Sequence, residues 1–169
     1  MRTIGVISDT HGLLRPEALA ALEGSDLILH AGDVGDLSFL EEIGRIAPVH
    51  AVYGNTDWGE IRDALRGDVV VDLGADDGVL AESGPQGPVA YMLHDLEDLA
   101  LDPAAGGFSL VVAGHTHEPQ IRERGGVMYL NPGSAGPRRF SLPVSVARIE
   151  LAAGRLDARI VQLDVGDLP

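Results

Sequence analysis

Short apolar runs alternate with longer amphipathic segments in the first third of the chain. Strands are predicted at residues 3–8, 26–32 and 49–54, with helices between them at 14–24 and 37–47. Apolar runs of this length are typical of buried strands, and the segments between them have helical spacing and are bounded by Pro or Gly. The order β-α-β-α-β predicts parallel strands joined by right-handed crossovers.

The rest of the chain contains further strands at less regular intervals. A short helix is predicted at 57–66 and a strand at 68–74, followed by a turn-rich segment at 74–88. Later segments are a helical stretch at 95–102 and strands at 89–93, 108–114, 121–131, 144–151 and 158–164. The AAGR turn between the last two strands predicts an antiparallel hairpin. The pattern predicts one α/β domain over residues 1–169, with one mixed sheet or two packed sheets and antiparallel later strands.

Composition narrows the class of protein. The chain has 169 residues, of which 45% are hydrophobic and 22% charged, as expected for a globular domain. Its net charge of −14 disfavours binding to long nucleic acids or to anionic membranes. Because the chain has no cysteine, disulfides and zinc–thiolate sites are excluded. The N-terminus has no long apolar region of the signal-peptide kind, and no segment approaches a membrane span, so a cytoplasmic location is expected.

Five predicted strands run directly into side chains that can bind a metal ion. In an open α/β sheet the carboxyl ends of the strands form the ligand-binding edge, so these side chains should converge. Each one alone has a simpler explanation, such as a turn residue, a helix cap or a solvated histidine. That explanation would have to hold independently at all five strand ends. The seven side chains are Asp9, His11, Asp33, Asn55, His94, His115 and His117.

The types of side chain indicate which metals would fit. Carboxylate, amide and imidazole donors suit Mn, Fe, Zn or Ni rather than Ca. Seven donors are too many for one tetrahedral site, but they are about right for two ions that share a carboxylate. The sequence therefore predicts a site for two divalent ions at this edge of the fold.

Five short motifs in order resemble the calcineurin-like metallophosphoesterases. They are D-x-H at 9–11, G-D at 32–33, G-N-x-D at 54–57, the isolated His94 and G-H-T-H at 114–117. NPGS at 131–134, followed by Pro137 and Arg138, is similar to the small single-domain bacterial and archaeal phosphodiesterases of that superfamily. The resemblance covers residues 3 to about 150. It implies an α/β (α+β) fold, a four-layer sandwich of two mixed β-sheets flanked by helices.

The resemblance also implies which donors would bind each of the two ions. One ion would take Asp9, His11, Asp33 and His117, and the other Asp33, Asn55, His94 and His115. Asp33 would bridge the two ions, with manganese the first candidate metal and Ni, Fe, Co or Zn as alternatives. A metal-bridging hydroxide would attack the phosphodiester. Asp33, Asn55 and Asp57 are the expected catalytic residues, and Asn55, His115 and Arg138 the expected substrate contacts.

The chain departs from the family pattern at two places that bear on leaving-group protonation. Thr56 occupies the position at which many relatives carry a histidine, and Asp95 and Leu96 replace the glycine and histidine that often follow the isolated histidine. No obvious imidazole acid remains. Asp57, Asp95 or water could protonate the leaving group, or the substrates could be esters with good leaving groups. Asp95 is better explained as a helix cap, and Arg138 as a surface residue.

Three functions are compared. The favoured one is hydrolysis of a small phosphodiester, because the acidic surface would repel a nucleic acid polymer. The alternative is a weak or inactive scaffold that binds a protein partner, as a membrane-trafficking coat subunit of the superfamily does. A nuclease is disfavoured because the sequence has no basic patch. Association into a homodimer or homotetramer is expected from relatives.

Overall fold

The computed structural model describes residues 1–166, and these residues form ten strands in two five-stranded sheets. The elements in chain order are β1 (Arg2–Ile7), α1 (Pro16–Leu22), β2 (Leu27–His30), α2 (Leu37–Ile43), β3 (Val49–Ala51), α3 (Glu60–Ala64), β4 (Asp68–Asp72), β5 (Val89–Leu93), a 3₁₀ turn (Leu96–Asp98), β6 (Leu110–Val112), β7 (Gln120–Arg124), β8 (Val127–Asn131), β9 (Ser145–Ala152) and β10 (Arg155–Gln162). Residues 167–169 of the predicted domain lie outside the described part of the chain.

The first sheet has the strand order β10-β9-β1-β2-β3. Strand β2 pairs in parallel with both β1 and β3, which confirms the predicted parallel pairing in the front half of the chain. Strands β9 and β10 form the predicted antiparallel hairpin, and its turn residues Ala153 and Gly154 both have positive φ. Such a turn matches the right-handed twist of the strands that it joins.

The second sheet has the order β4-β5-β6-β8-β7 and corrects part of the prediction. Strands β5, β6 and β8 are mutually parallel, so the expectation that later strands are antiparallel is wrong for these three. The long connection over residues 94–109 carries the chain back across the sheet, which a parallel pair requires. The predicted strand at 121–131 is two antiparallel strands, because Gly125 and Gly126 form a tight turn with φ of 60° and 77°.

A continuous apolar core lies between the two sheets. In β1, Ile4 and Val6 face this core, whereas Ile7 faces the helices on the outer side of the first sheet. Helices α1 and α2 cover that outer side through Leu22 and Ile43, among others. A smaller apolar cluster lies on the outer side of the second sheet, where the chain over 95–102 forms only one 3₁₀ turn rather than a helix. The predicted sandwich of two mixed sheets flanked by helices is confirmed, and the helices are few.

The helices are short, and local sequence explains their ends. Helix α1 begins at Pro16, a residue suited to a first turn. Helix α2 begins after Asp36, whose side chain accepts a hydrogen bond from the backbone N–H of Ser38. Across residues 1–166, no helix has the length and apolar character that a membrane span would need.

Candidate metal centre

The seven predicted donors meet at one edge of the sandwich. Asp9 and His11 follow β1, Asp33 follows β2, and Asn55 follows β3. From the second sheet, His94 follows β5, and the loop after β6 carries His115 and His117. Within each sheet, the strands that carry donors are parallel to one another, so their carboxyl ends lie at the same edge of that sheet. The predicted convergence is therefore observed.

The first group of donors brings together both sheets. The Nε2 atom of His117 lies 3.2 Å from Asp9 Oδ1 and 3.0 Å from His11 Nε2. The Nε2 atom of His11 is 3.7 Å from the same Asp9 oxygen. The second oxygen of Asp9 accepts hydrogen bonds from the Ser8 hydroxyl and from the backbone N–H of His115. These bonds orient Asp9 so that Oδ1 faces the two histidines.

The second group centres on His94. Its Nδ1–H donates to the carbonyl oxygen of Ala31 at 2.7 Å, which leaves Nε2 to face the site. That nitrogen lies 3.2 Å from Asp33 Oδ2 and 3.0 Å from Asn55 Oδ1. Asn55 Oδ1 is also 3.0 Å from His115 Nδ1, so Asn55 joins the two histidines.

Two carboxylates lie between the groups. Asp33 Oδ2 is 3.7 Å from His11 Nε2 as well as 3.2 Å from His94 Nε2. Asp9 Oδ1 lies 4.0 Å from His94 Nε2, so it also reaches both groups. Two sets of side chains have donor atoms within 4.8 Å of one another, namely Asp9 with His11 and His117, and Asp9 with Asp33 and His94. Asp33 was the only bridge that the sequence predicted, and Asp9 is a second candidate.

Backbone strain is concentrated at this site. Five of the seven donors have positive φ, between 46° and 69°, and they are Asp9, His11, Asp33, His115 and His117. Among the other non-glycine residues at 1–166, only Phe140 and Ala153 have positive φ. Such a conformation costs roughly 1 kcal/mol or more per residue and persists where a site requires it. The fold therefore holds these five residues in an unfavourable backbone conformation, which directs their side chains into the site.

The electrostatics of the site favour a bound cation. Burial alone would raise the pKa of Asp33, but hydrogen bonds from His94 and from the backbone N–H of Thr56 outweigh it, so the pKa is held well below its usual range. Burial of His94 opposes its charged form, yet Asp33 and Asp9 together raise its pKa above 6.5. For His11, burial dominates and lowers the pKa.

The donor atoms themselves fit a metal ion. Asp9 Oδ1 is buried and accepts no hydrogen bond. When Nδ1–H of neutral His94 donates to Ala31, the lone pair of Nε2 faces two oxygens at 3.0–3.2 Å. Acceptors that face one another in a buried site repel, and a divalent cation would remove that repulsion.

The NPGS segment has a supporting role that sequence reasoning missed. The side chain of Asn131 donates to the carbonyl of Gly114 at 2.8 Å and to the hydroxyl of Thr116 at 3.0 Å, and so holds the histidine loop. The Ser134 hydroxyl donates to the carbonyl of Asp9 at 3.0 Å. The segment therefore ties together the loops that follow β1 and β6. Its position after an apolar strand gave no sign of these partners.

Two expected residues do not face the site. Asp57 is fully buried, and its carboxylate accepts hydrogen bonds from the backbone N–H groups of Val34, Gly35 and Gly54 at 2.8–3.0 Å. This bonding favours a structural role, and the role of Asp57 in catalysis stays a prediction. Arg138 is exposed and donates to the carbonyl of Gly166 at 3.0 Å.

The neighbouring Arg139 was overlooked in the sequence. Its charge is near enough to His11 to contribute to the lowered pKa of that histidine.

Asp95 has two contacts, one expected and one not. Its Oδ1 accepts from the backbone N–H of Glu97 at 3.0 Å, which confirms the predicted cap of the following turn. Its Oδ2 lies 3.4 Å from His115 Nε2, on the far side of the ring from Asn55. Asp95 therefore caps a turn and orients a candidate ligand at the same time.

Comparison with known proteins agrees with the geometry. A model of the calcineurin-like phosphoesterase superfamily domain matches residues 1–154. A probable metallophosphoesterase of Methanothermobacter thermautotrophicus is 35% identical over 168 residues, which cover 94% of this chain and 91% of that protein. A phosphodiesterase of Methanocaldococcus jannaschii is 30% identical over 139 residues, 77% of this chain and 82% of the relative.

The fold is also similar to that of Vps29. The crystal structure of Vps29 from Entamoeba histolytica complexed with Zn²⁺ matches with a TM-score of 0.68 and 20% identity, and the match covers 95% of this chain and 98% of that chain. At this identity the likeness shows the fold alone. The superfamily model and the two archaeal relatives span most of the sequence. The chain belongs to the calcineurin-like phosphoesterase superfamily.

Proposed function

We propose that this protein hydrolyses small phosphodiesters with the help of two divalent metal ions. The observation that carries the proposal is that seven oxygen and imidazole donors meet at one edge of the sandwich. Five of them form two close groups that share Asp9, whose buried Oδ1 accepts no hydrogen bond. The name of the M. jannaschii relative, a phosphodiesterase, supports the choice of a diester. Manganese is the first metal to test, and Ni, Fe, Co or Zn suit the same donors.

The proposed ligands divide into two sets. Asp9, His11, Asp33 and His117 would hold one ion, and Asp33, Asn55, His94 and His115 the other. Two bound ions supply Lewis acidity and a water of lowered pKa, which is the chemistry that a phosphodiester requires. Asp33 and Asp9 reach both sets, so either carboxylate could keep the two ions at a fixed separation.

The size and charge of the surroundings favour a small substrate. Two cavities of about 470 and 400 Å³ adjoin the donors, the first at Asn55 and His94 and the second at His115. Cavities of this size accept ligands of a few hundred daltons. The net charge of −14 opposes the approach of a long polyanion. We propose that Arg138, or Arg139, whose charge acts on His11, meets a substrate oxygen.

The lack of an evident group to protonate the leaving oxygen limits which esters the protein can hydrolyse. Asp57 is held by three backbone N–H groups, and Thr56 occupies the position of the family histidine. Asp95 already caps a turn and contacts His115. We therefore expect efficient hydrolysis of diesters whose leaving groups depart without a proton, such as aryl esters, and slow hydrolysis of alkyl esters.

The direct experiment is hydrolysis of a bis-aryl phosphate by protein that has been stripped of metal and reloaded with Mn²⁺. We expect turnover that a chelator abolishes. The substitution Asp33→Asn should lower kcat/KM by at least about 10²-fold, because it removes a charge that reaches both groups of donors. The control is Asp36→Asn, which alters an exposed cap of α2 with a residue that also caps. Lack of turnover with Mn, Ni, Co, Zn and Mg would overturn the proposal.

The second candidate is a scaffold that keeps the fold and binds a protein partner. The replaced stretch His94-Asp95-Leu96 is the observation in its favour, whereas the seven intact donors oppose it. A stoichiometric partner in a pull-down, together with no bound metal by elemental analysis, would reverse the ranking. Association into homodimers or homotetramers and a cytoplasmic location stay predictions from the sequence. Light scattering tests the first of these.

A further inference from the structure

Aromatic side chains cluster beside the candidate metal centre. The chain has only three Tyr, three Phe and one Trp, yet Tyr53, Trp58 and Tyr91 all line the cavity of about 470 Å³ that begins at Asn55 and His94. Trp58 is 70% exposed, although a large apolar surface in contact with water is unfavourable. Nothing in metal binding or hydrolysis requires these rings.

Arg62 is stacked on two of the rings. Its guanidinium carbon lies 4.5 Å from the centroid of Tyr53 and 5.5 Å from that of Trp58. A planar guanidinium over an aromatic face is a favourable arrangement. The three side chains form a stacking surface, which consists of Tyr53, Trp58 and Arg62.

The loop that carries Trp58 is held in place. Asp57, the residue before it, is fully buried and accepts three backbone hydrogen bonds, one of them from Gly54 of the same loop. Asn55 belongs to this loop as well and faces His94 and His115. The indole and a proposed metal ligand are therefore three residues apart on a rigid segment. A rigid aromatic surface loses little entropy when a ligand stacks on it.

Charged groups in the cavity restrict what can bind. Asp68, Asp95 and Asp98 line its wall, and Asp68 accepts a hydrogen bond from the hydroxyl of Tyr91 at 2.7 Å. These carboxylates would repel a second phosphate, but they can accept hydrogen bonds from amino groups. Arg62 already places a positive charge over both rings and would repel a quaternary ammonium. The cavity therefore suits a ligand part that carries no second phosphate and no positive charge. A neutral, planar ring with an amino group is such a part.

We infer that the stacking surface binds a nucleobase with an exocyclic amino group. This inference rests on the proposed function, since the phosphodiester of the same molecule would lie at the metal centre. The substrate class is then a small nucleotide phosphodiester. The base stacks on Trp58 and Arg62, and its amino group faces the acidic wall of the cavity.

Trp58 is the only tryptophan, so its fluorescence reports on this surface alone. Adenosine, which has the base but no phosphate, is titrated into metal-free protein with excitation at a wavelength that the base does not absorb. We expect saturable quenching by adenosine and none by ribose or choline. The assay needs neither metal nor turnover.

Variants separate stacking from charge. The substitution Arg62→Lys keeps the charge but loses the planar face, and we expect it to weaken adenosine binding about tenfold, the order expected for one stacked base. Arg66→Ala, which removes a nearby exposed arginine outside the cavity lining, should leave binding unchanged. Trp58→Leu removes the reporter, so equilibrium dialysis is used for it, and binding should be lost.

The outcomes distinguish the two proposals. Absence of saturable quenching by adenosine, or equal quenching by choline, would overturn the nucleobase site. Unchanged adenosine affinity in Arg62→Lys and Trp58→Leu would also overturn it. Hydrolysis of the bis-aryl phosphate without adenosine binding would contradict the nucleobase site alone. Adenosine binding without hydrolysis would contradict the proposed function alone.

Discussion

The Nε2 atoms of His11 and His117 lie 3.0 Å apart, although 106 positions separate the two residues in the chain. His11 follows a strand of the first sheet and His117 a strand of the second, so the packing of the two sheets creates the pair. Asp9 Oδ1 lies within 3.7 Å of both nitrogens and accepts no hydrogen bond. A cation at this position would satisfy all three atoms.

Metal binding should therefore stabilise the folded protein. Mn²⁺ at about 100 times its dissociation constant adds about 2.7 kcal/mol to the free energy of unfolding. For a domain of this size that corresponds to an increase in Tm of roughly 5–10 °C. We expect differential scanning fluorimetry to show this shift in the wild type and to show its loss in His117→Ala. His50→Ala, which changes a histidine bonded to the carbonyl of Asp77, should keep the shift. An equal shift in all three proteins would contradict metal binding at this site.

Asp95 should tune the affinity for metal through His115. The substitution Asp95→Asn preserves the cap of the 3₁₀ turn, because asparagine caps as well as aspartate, but it removes the charge 3.4 Å from His115 Nε2. Loss of such an orienting carboxylate typically weakens metal affinity by about 10–100-fold. Isothermal titration with Mn²⁺ measures the change. Asp98→Asn, which alters a carboxylate in the same cavity without a contact to a candidate ligand, is the matched control.

Asp57 should prove structural. The substitution Asp57→Ala leaves three backbone N–H groups without their acceptor and should lower the free energy of unfolding by at least about 3 kcal/mol, measured by urea denaturation. The milder Asp57→Asn tests for a catalytic role. If Asp57 were the general acid, this variant would lose more activity toward alkyl than toward aryl esters. We expect the ratio of the two rates to be unchanged.

His30 should make the metal-free protein sensitive to acid. It is fully buried between Thr10 and Gly32, and burial lowers its pKa from 6.5 to about 4. As the pH falls, the unfolded chain binds a proton at His30 before the folded protein does. The contribution of neutral His30 to the free energy of unfolding is therefore fully present above about pH 7 and is lost as the pH falls from 6.5 toward 4. The loss attributable to His30 is roughly 3 kcal/mol.

The variant His30→Gln isolates this effect. Glutamine does not titrate and can still bond to the Thr10 hydroxyl, whereas all other ionisable groups stay the same. Urea denaturation in the presence of a chelator, at pH 7 and at pH 4, gives the free energy of unfolding for both proteins. We expect the wild type to lose about 3 kcal/mol more than the variant between these two pH values. Parallel losses would show that His30 is not the group responsible.

Much of the fold was predictable because its signals are local. The apolar runs of β1, β2 and β3 and the helical spacing between them lie within short windows, and the structure has the predicted parallel order. The parallel pairing of β6 with β5 and β8 was missed. Pairing direction in that region depends on how residues 94–109 cross the sheet, and no short window contains that information.

The site also has some features that short stretches of sequence predict and others that depend on the fold. The seven donors could be identified because each directly follows an apolar run, and strand ends on one side of a parallel sheet must meet. A surface position was the favoured interpretation of Arg138, but the hydrogen-bond partners of Asp57 and Arg138 could not be predicted, since the fold decides which groups surround a side chain. For Asp57 those groups are the N–H groups of Val34, Gly35 and Gly54, and for Arg138 the carbonyl of Gly166.

The sequence by itself determined which residues end the strands, and with them the superfamily and the seven donors of the candidate centre. Periodicity and short motifs are properties of neighbouring residues, so they can be read without the fold. Only the tertiary structure decided that Asp9 reaches both groups of donors, that Asp95 contacts His115, and that Trp58 and Arg62 border the same cavity as His94. Those relationships depend on distances between segments far apart in the chain, which the packing of the two sheets establishes.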